Sequence, residues 1–378
     1  GVDSFSLLAV PFYILCGVLM NTGGIAQKLI DFAKILVGRI PGGLAHTNIL
    51  GNTLFGSLSG SSVAASVAIG GVLIPMEEKE GYDKKFAAAV NIASAPTGLI
   101  IPPSGILIIY PVLAGCSVVG MIMSGYIPGL MWALACMVVA YVIAKKNHYP
   151  TAGKVPASVF FKYFVDAIPS LLLIVIIVGG VMSGIFTATE SAAVAVAYTL
   201  FLSIVVYRSI KIKDLPKILL DACETTAIIM FLIAGSNVMS FVMSFTGLPS
   251  AIGNALISVS SNKYVILLII NLVLLVVGCF MDITPAVLIF TPIFLPVVQS
   301  FGMDPIHFGI MMVMNLGIGN ITPPVGSSLF SGCSVADMDM EDMIKPILPF
   351  YAAIFVALML VAYVPWFSMA LPTLFGAV

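Results

Sequence analysis

Two stretches of the chain set adjacent prolines beside glycine inside apolar sequence. Pro102 and Pro103 lie in "IIPPSGILIIYPVLAGCSV" (100–118), and Pro323 and Pro324 lie in "ITPPVGSSLFSGCSV" (321–335). Proline has no amide hydrogen and glycine tolerates open backbone, so both stretches resist helix. Inside a lipid bilayer such backbone must be buried in protein or line a wet cavity. The carbonyls it frees can coordinate a hard cation, and the N-terminus of a following half-helix can face an anion. One proline pair alone is a plain kink; two copies, each preceded by a segment rich in Ser, Thr or Asp, favour a binding site. The first such segment, "GSLSGSS" (56–62), carries the hydroxyls of Ser57, Ser59, Ser61 and Ser62 and carbonyls freed at two glycines. These are the hard oxygen donors that sodium takes, although small-residue helix packing is the competing role for any one serine. In the second segment, "FMDITPA" (280–286), Asp282 is the one carboxylate placed deep in an apolar region. Such a residue is functional by default, as an ion ligand or a group that orients one; a helix cap for the amides near Thr284 is the alternative. Asn91, Thr97 and Ser104 in the first copy, and Asn315, Asn320 and Thr322 in the second, are weaker candidates.

The other reactive side chains point to structure. The six cysteines stand singly in apolar contexts, without the spacing of a disulfide framework or a zinc site. His46, His148 and His307 are scattered. Glu190 and Glu224 fall near expected helix starts, where a carboxylate favours the dipole. No nucleophile–base pair, Walker loop or HExxH motif occurs, so neither an enzyme nor ATP-driven transport is expected. No basic patch with interleaved aromatics suggests nucleic acid.

What positions these residues is membrane helix. The 378 residues are 60% hydrophobic and 9% charged, with a mean hydropathy of +1.14, against about 25% charged in soluble domains. Runs such as "SLLLIVIIVGGVM" (170–182) and "YVILLIINLVLLVVG" (264–278) do not alternate, which excludes a membrane β-barrel. Apolar segments are expected at 5–21, 42–75, 84–114, 118–144, 166–186, 190–208, 221–244, 264–299, 306–334 and 346–369. Amphipathic stretches at 24–39, 157–164 and 248–260 are expected to lie along the interface. The chain opens on Gly1 with an apolar run starting at once, so a natural N-terminal segment is expected to be missing.

A constant shift of 221 residues superimposes Pro75 on Pro296, Gly81 on Gly302, Asp83 on Asp304, Gly98 on Gly319 and each proline pair on the other. A four-residue deletion then aligns "GCSV" at 115–118 with "GCSV" at 332–335. This register marks a gene duplication. Before each broken helix stands an apolar hairpin with arms of about 15 residues, short for a span of about 20, hence re-entrant. Five crossings separate the hairpins, an odd number, so the repeat is inverted, as in many secondary transporters. With hairpin 42–75 opening on one face, all of the 16 Lys and Arg residues except Lys263 fall on that face, which the positive-inside rule makes cytoplasmic. The C-terminus is then periplasmic.

The expected fold is therefore an all-α polytopic membrane protein, an inverted repeat with two re-entrant helical hairpins and two broken transmembrane helices. Its parts are a scaffold helix and interfacial arm (1–41), a first transport-domain repeat (42–130), scaffold helices and arms (131–262), a second repeat (263–350) and a C-terminal helix (351–378).

"GSLSGSSVA", "GLIIPPSGILIIYPVLAGCSV", "MDITPAVLIFTPIFLPV" and "GIGNITPPVG" resemble the large membrane subunit of TRAP (tripartite ATP-independent periplasmic) transporters, the DctM-like or SiaM-like family. The resemblance runs over nearly the whole chain. It implies sodium-coupled, elevator-type uptake of an organic acid, often sialic acid or a C4-dicarboxylate, across a bacterial inner membrane. A periplasmic substrate-binding protein and a small four-helix membrane subunit would be partners, and two or more sodium ions, with no organic cofactor, would be bound. Carried onto this chain, one sodium site comprises Gly56, Ser57, Ser61, Ser62, Thr97 and Gly98. The other comprises Gly278, Asp282, Thr284, Gly319, Asn320 and Thr322. Substrate would lie between them, near Ser59, Pro102, Pro103, Ser104, Pro323 and Pro324. Two departures stand out: family members usually begin with one more membrane helix, and many carry an aspartate near Ala65. The other readings are a stand-alone dicarboxylate carrier of the related two-hairpin superfamily and, in a different class, a channel or membrane anchor subunit.

Overall fold

A computed structural model of the chain describes residues 5–151, 157–247, 251, 252, 255, 258–260 and 262–377. Among these, seven helical stretches are long and apolar enough to cross a membrane, and a bent pair brings the number to as many as eight. That pair, α1 (Ala9–Thr22) and α2 (Ile25–Val37), meets at 72°. Gly24 takes the left-handed backbone that a sharp corner requires, at φ +73°.

The first hairpin is α3 (Gly43–Ser59) and α4 (Ser62–Lys79). Only Gly60 and Ser61 interrupt the helix, Gly60 at φ +64° and Ser61 capping α4 by accepting from Ala64 N at 3.2 Å. A broken helix follows: α5 (Lys84–Ser94), the single turn α6 (Thr97–Ile100), the open segment 101–105, then α7 (Ile106–Ala114). Next come α8 (Val118–Ser124), α9 (Tyr126–Lys146), α10 (Ala157–Ile174), which continues to Met182 through a π-turn, α11 (Ala188–Phe201) and α12 (Leu215–Thr246). The second hairpin is α13 (Lys263–Phe280) and α14 (Ile283–Ser300), and the second broken helix is α15 (Pro305–Gly319), open segment 320–326 and α16 (Ser327–Val335). The chain ends with α17 (Met340–Tyr363) and α18 (Trp366–Leu374).

The repeat read from the letters is repeated in backbone geometry. Gly81 and Gly302 both turn at positive φ, +88° and +81°. Asp83 and Asp304 then cap α5 and α15 in the same way, each accepting from the amide two residues on at 2.8 Å. The Pro102–Pro103 and Pro323–Pro324 peptides are both cis. The two copies interlock: the buried Tyr110 of α7 donates to Pro305 O at the start of α15, 2.6 Å away. Trp132 of α9, also buried, donates to Ala93 O at 2.9 Å and fixes α9 against α5.

Several expectations need correction. The hairpin arms have 17 or 18 residues rather than about 15, because only two residues leave helix at each tip. At 1.5 Å per residue such an arm is about 27 Å long. Residues 157–164 are not a separate interfacial stretch but the first turns of α10, continuous with its apolar part. Glu224 lies in the third turn of α12 and is exposed, not at a helix start. Glu190 does act at a start: it completes a capping box with Thr187, to whose backbone N its carboxylate bonds at 2.8 Å. The boundaries drawn at 130/131 and 350/351 fall inside the continuous helices α9 and α17. Most of the amphipathic stretch 248–260, and Lys154, lie outside the described residues.

Candidate ion and substrate site

Each hairpin tip lies directly on its broken helix through a pair of glycines. A Cβ on Gly98 would stand 2.2 Å from Gly56 Cα, and one on Gly319 would stand 2.5 Å from Gly278 Cα. No side chain fits at either contact, so backbone meets backbone where the break opens. In the first copy Thr97 Oγ1 is 3.2 Å from Thr53 Oγ1 and donates to Ser94 O at 2.7 Å. Ser57 donates back to Leu54 O at 2.9 Å. Ser59 makes only long contacts, to Gly56 O and Ser61 O at 3.4 and 3.5 Å. Ser104 Oγ is buried without a hydrogen-bond partner beside the tip at Gly60, an orphaned oxygen of the kind that ions and waters satisfy. Ala65 packs against the Gly56 contact, so an aspartate at that position would enter the same cluster.

The second copy is organised around Asp282. It is the N-cap of α14, yet its carboxylate makes no capping bond; it is exposed and accepts from Ser327 Oγ at 3.1 Å. The capping role is therefore not realised. Ser327 also meets Asn320 Oδ1. Asn320 Nδ2 donates to Ser328 Oγ at 3.0 Å and to Ser62 Oγ at 2.9 Å, and Ser328 to Ser62 at 2.7 Å. Ser62, grouped by sequence with the first copy, is thus bonded to the second. Thr322 donates to Ile318 O at 2.6 Å, and the Tyr351 hydroxyl of α17 holds Ile321 O. Asn91 and Asn315 serve the packing of arms on broken helices instead: Asn91 Nδ2 bonds Ser66 O at 3.0 Å, and Asn315 Nδ2 bonds Asn271 Oδ1 at 2.8 Å. Ser327, Ser328 and Tyr351 were missed from sequence. "VGSS" at 325–328 echoes "SGSS" at 59–62 and could have flagged the serines; nothing local marks Tyr351.

A cavity of about 370 Å³ opens where the two tips face the scaffold. The first tip lines it from Leu58 to Ala64, the first break through Leu99, Pro103, Gly105 and Ile106, and the second tip through Asp282, Ile283 and Thr284. The opposite wall is α1, including Tyr13 and Asn21, and α12, with Thr225 and Ile229. Of the residues expected to touch substrate, Ser59 and Pro103 line this space, whereas Pro102, Ser104, Pro323 and Pro324 do not. Three helix N-termini end on it, those of α4, α7 and α14, and the positive ends of their dipoles face the space. Among the described residues, Asp282 is its only charged lining residue.

Residues 1–367 match the family described as "Tripartite ATP-independent periplasmic transporter, DctM component". The chain is 40% identical to the sialic acid TRAP transporter large permease protein SiaM of Vibrio cholerae, covering 99% of this chain and 88% of that protein. It is 39% identical to the C4-dicarboxylate TRAP transporter large permease protein DctM of Pseudomonas aeruginosa, with the same two coverages. In fold it resembles the crystal structure of the Alcanivorax borkumensis YdaH transporter, with a TM-score of 0.67 at 14% identity over 97% of this chain and 85% of that one. The hairpin tips, the paired breaks and these relatives place the chain in one family: it belongs to the DctM-type large permeases of the tripartite ATP-independent periplasmic transporters.

Proposed function

We propose that this permease imports an organic acid in symport with sodium, and that Asp282 makes the coupling obligatory. The carrying observation is the charge of the cavity: three helix N-termini invite an anion, while the one charged side chain present is itself a carboxylate. Two like charges about 4 Å apart repel by about 4 kcal/mol at an effective dielectric of about 20. A sodium ion at the Asp282 tip converts that repulsion into attraction, so the acid binds well only after the cation. The glycine contacts, the orphaned Ser104 oxygen and the carboxylate free of capping duty fit a hard monovalent cation at each tip. Sialic acid and C4-dicarboxylates, named for the relatives, are the substrate classes to try first.

The cavity lies between tips and scaffold, which supports an elevator in which 42–130 and 263–350 move against 5–39 and 166–244. A periplasmic binding protein delivers the acid. A small four-helix membrane subunit covers scaffold surface such as α12, where Phe231, Phe241 and Phe245 are exposed. The protein sits in the bacterial inner membrane with hairpin 42–75 opening to the cytoplasm and the C-terminus in the periplasm. The test is uptake into proteoliposomes with purified binding protein, varying the sodium gradient and the acid. Uptake that ignores the sodium gradient for every acid tried overturns the proposal.

A further inference from the structure

Four consecutive charged residues, Glu77, Glu78, Lys79 and Glu80, surround the end of α4. The last three are exposed. Glu77 is 0% exposed, and neither of its carboxylate oxygens has a hydrogen-bond partner. It continues the stripe Ser66, Gly70, Leu73, Glu77 that α4 turns inward at helical spacing. From α3 the group that faces it is Asn48, whose Nδ2 is likewise buried and unpartnered. A buried polar run leads from there toward the tip. Asn48 Oδ1 accepts from Asn52 Nδ2 at 2.9 Å, and that nitrogen is 3.0 Å from Asn91 Oδ1 and 2.9 Å from Ser94 Oγ. Thr97, bonded to Ser94 O, ends the run beside Gly98.

The internal repeat supplies a control. The 221-residue shift places Val298 where the first copy has Glu77, and the backbone turns identically at both. Glu77 O accepts from Tyr82 N at 3.0 Å and Val298 O from Met303 N at 3.1 Å, and Val298 is also 0% exposed. The fold therefore accepts an apolar side chain at this position and does not need a carboxyl to close the turn. A carboxylate buried without partners neutralises itself by binding a proton. Burial pushes the Glu77 carboxyl well above the usual range; Asn48 works against that rise and Glu80 with it.

Among the described residues no cation pairs with the Glu77 carboxyl. Glu80 and Tyr82 are the titratable groups acting on Glu77. Of the elements packed on α4, α3 carries the buried His46, α5 carries Lys84 and Lys85, the latter held by Asp342 of α17 at 2.5 Å, and α2 carries Lys28, Asp31 and Lys34, of which Lys28 faces Asp166 of α10 at 3.7 Å. Neither α6 nor α16 bears a charged residue. The group that faces it from α3 is the Asn48 amide NH₂, a donor that cannot ligate a metal ion.

We propose that Glu77 is a proton-binding site built into the first hairpin, filled while the hairpin base is packed and emptied when it opens to water. The step is the making or breaking of one O–H bond on the Glu77 carboxyl, with the proton exchanged with water. Because the packed state holds the proton more tightly than the open one, its stabilisation is present at low pH and lost as pH rises through the raised pKa.

Infrared spectra of the purified protein test the site without any transport assay. Among the described residues Glu77 is the one buried carboxyl, so the wild type should show a protonated-carboxyl stretch at about neutral pH, far above the ordinary range of about 4, and Glu77→Gln and Glu77→Val should lack it. Glu77→Val repeats the packing of the second copy and is expected to fold. The uptake arm rests on the transport activity proposed above. Wild-type uptake at fixed sodium should fall several-fold on the alkaline limb of its pH profile, and both variants should change less than about twofold over the same range. Absence of the stretch in wild type, its persistence in both variants, or an alkaline decline retained by the variants overturns the proposal. Uptake absent from every preparation counts against the transport reading alone, since the infrared result still decides the proton site.

Discussion

Asp282 faces the cavity with one serine hydroxyl as its partner, so its charge is unspent on structure. Asp282→Ala should leave the protein folded and able to assemble while removing sodium-driven uptake. If any uptake survives, sodium half-saturation should rise about tenfold to a hundredfold, the loss of a hydrogen bond or ligand to a charged group, about 1.5–3 kcal/mol. Uptake against sodium concentration measures this, and an unchanged half-saturation would remove Asp282 from the site. Gly98→Ala makes a sharper claim about shape. Its methyl group would meet Gly56 backbone, which cannot rotate away, so overpacking of about 1–3 kcal/mol is expected together with weaker sodium stabilisation in a thermal-shift titration. Asp282 was legible in sequence because a lone carboxylate in an apolar run has few other uses. Glu77 was not, because it sits in "EEKE", where only the helical phase tells an inward carboxyl from its exposed neighbours. Asn320 was visible as a candidate, but its bond to Ser62 was not, since no local pattern links side chains of different repeats.

Among the elements, the two open segments were the most legible, because Pro-Pro flanked by glycine leaves little alternative to broken helix. Replacing Pro102 and Pro103, or Pro323 and Pro324, by alanines should let helix spread into 101–105 or 320–326. Each alanine gains up to about 3 kcal/mol of helix propensity over proline, so stability should hold or rise slightly. Sodium affinity should fall in both double variants, because the regained intrahelical bonds take the same carbonyls that a cation would. Thermal-shift titration with sodium, and with potassium as control, separates this from simple kinking; full sodium-dependent stabilisation in either variant would make that pair a kink. The hairpin arms were harder to size. Small and polar residues such as "GSLS" lower the apparent hydropathy of the last turn although it remains helical up to Ser59. The extent of α10 was hidden for a related reason: its first turns are amphipathic, and amphipathic sequence serves an interfacial helix and the start of a span equally well.

At the scale of the whole molecule, the repeat was legible because its 221-residue register survives in turns and caps as well as in prolines. How the two copies engage was not, because that depends on which side chains meet across the pseudo-symmetry. An elevator requires the cavity wall formed by α1 and α12 to slide past the tips. Cysteine pairs placed between α12 near Ile229 and the tip near Thr284, both lining the cavity, should crosslink in one transport state and not the other. A pattern that stays fixed while transport continues at full rate would rule out the sliding. The bond between Ser62 and Asn320 carries a consequence for biosynthesis. The two residues are separated by 258 positions, and ribosomes add about 5–20 residues per second. For roughly ten to fifty seconds the first hairpin therefore exists without the partner that satisfies the hydroxyl at its tip. During that interval the nascent tip has to be kept from lipid by water or by the insertion machinery. The polar tip is thus also the part of the chain whose newborn state most needs shelter, and slowing or depleting insertase should damage this hairpin before any other element.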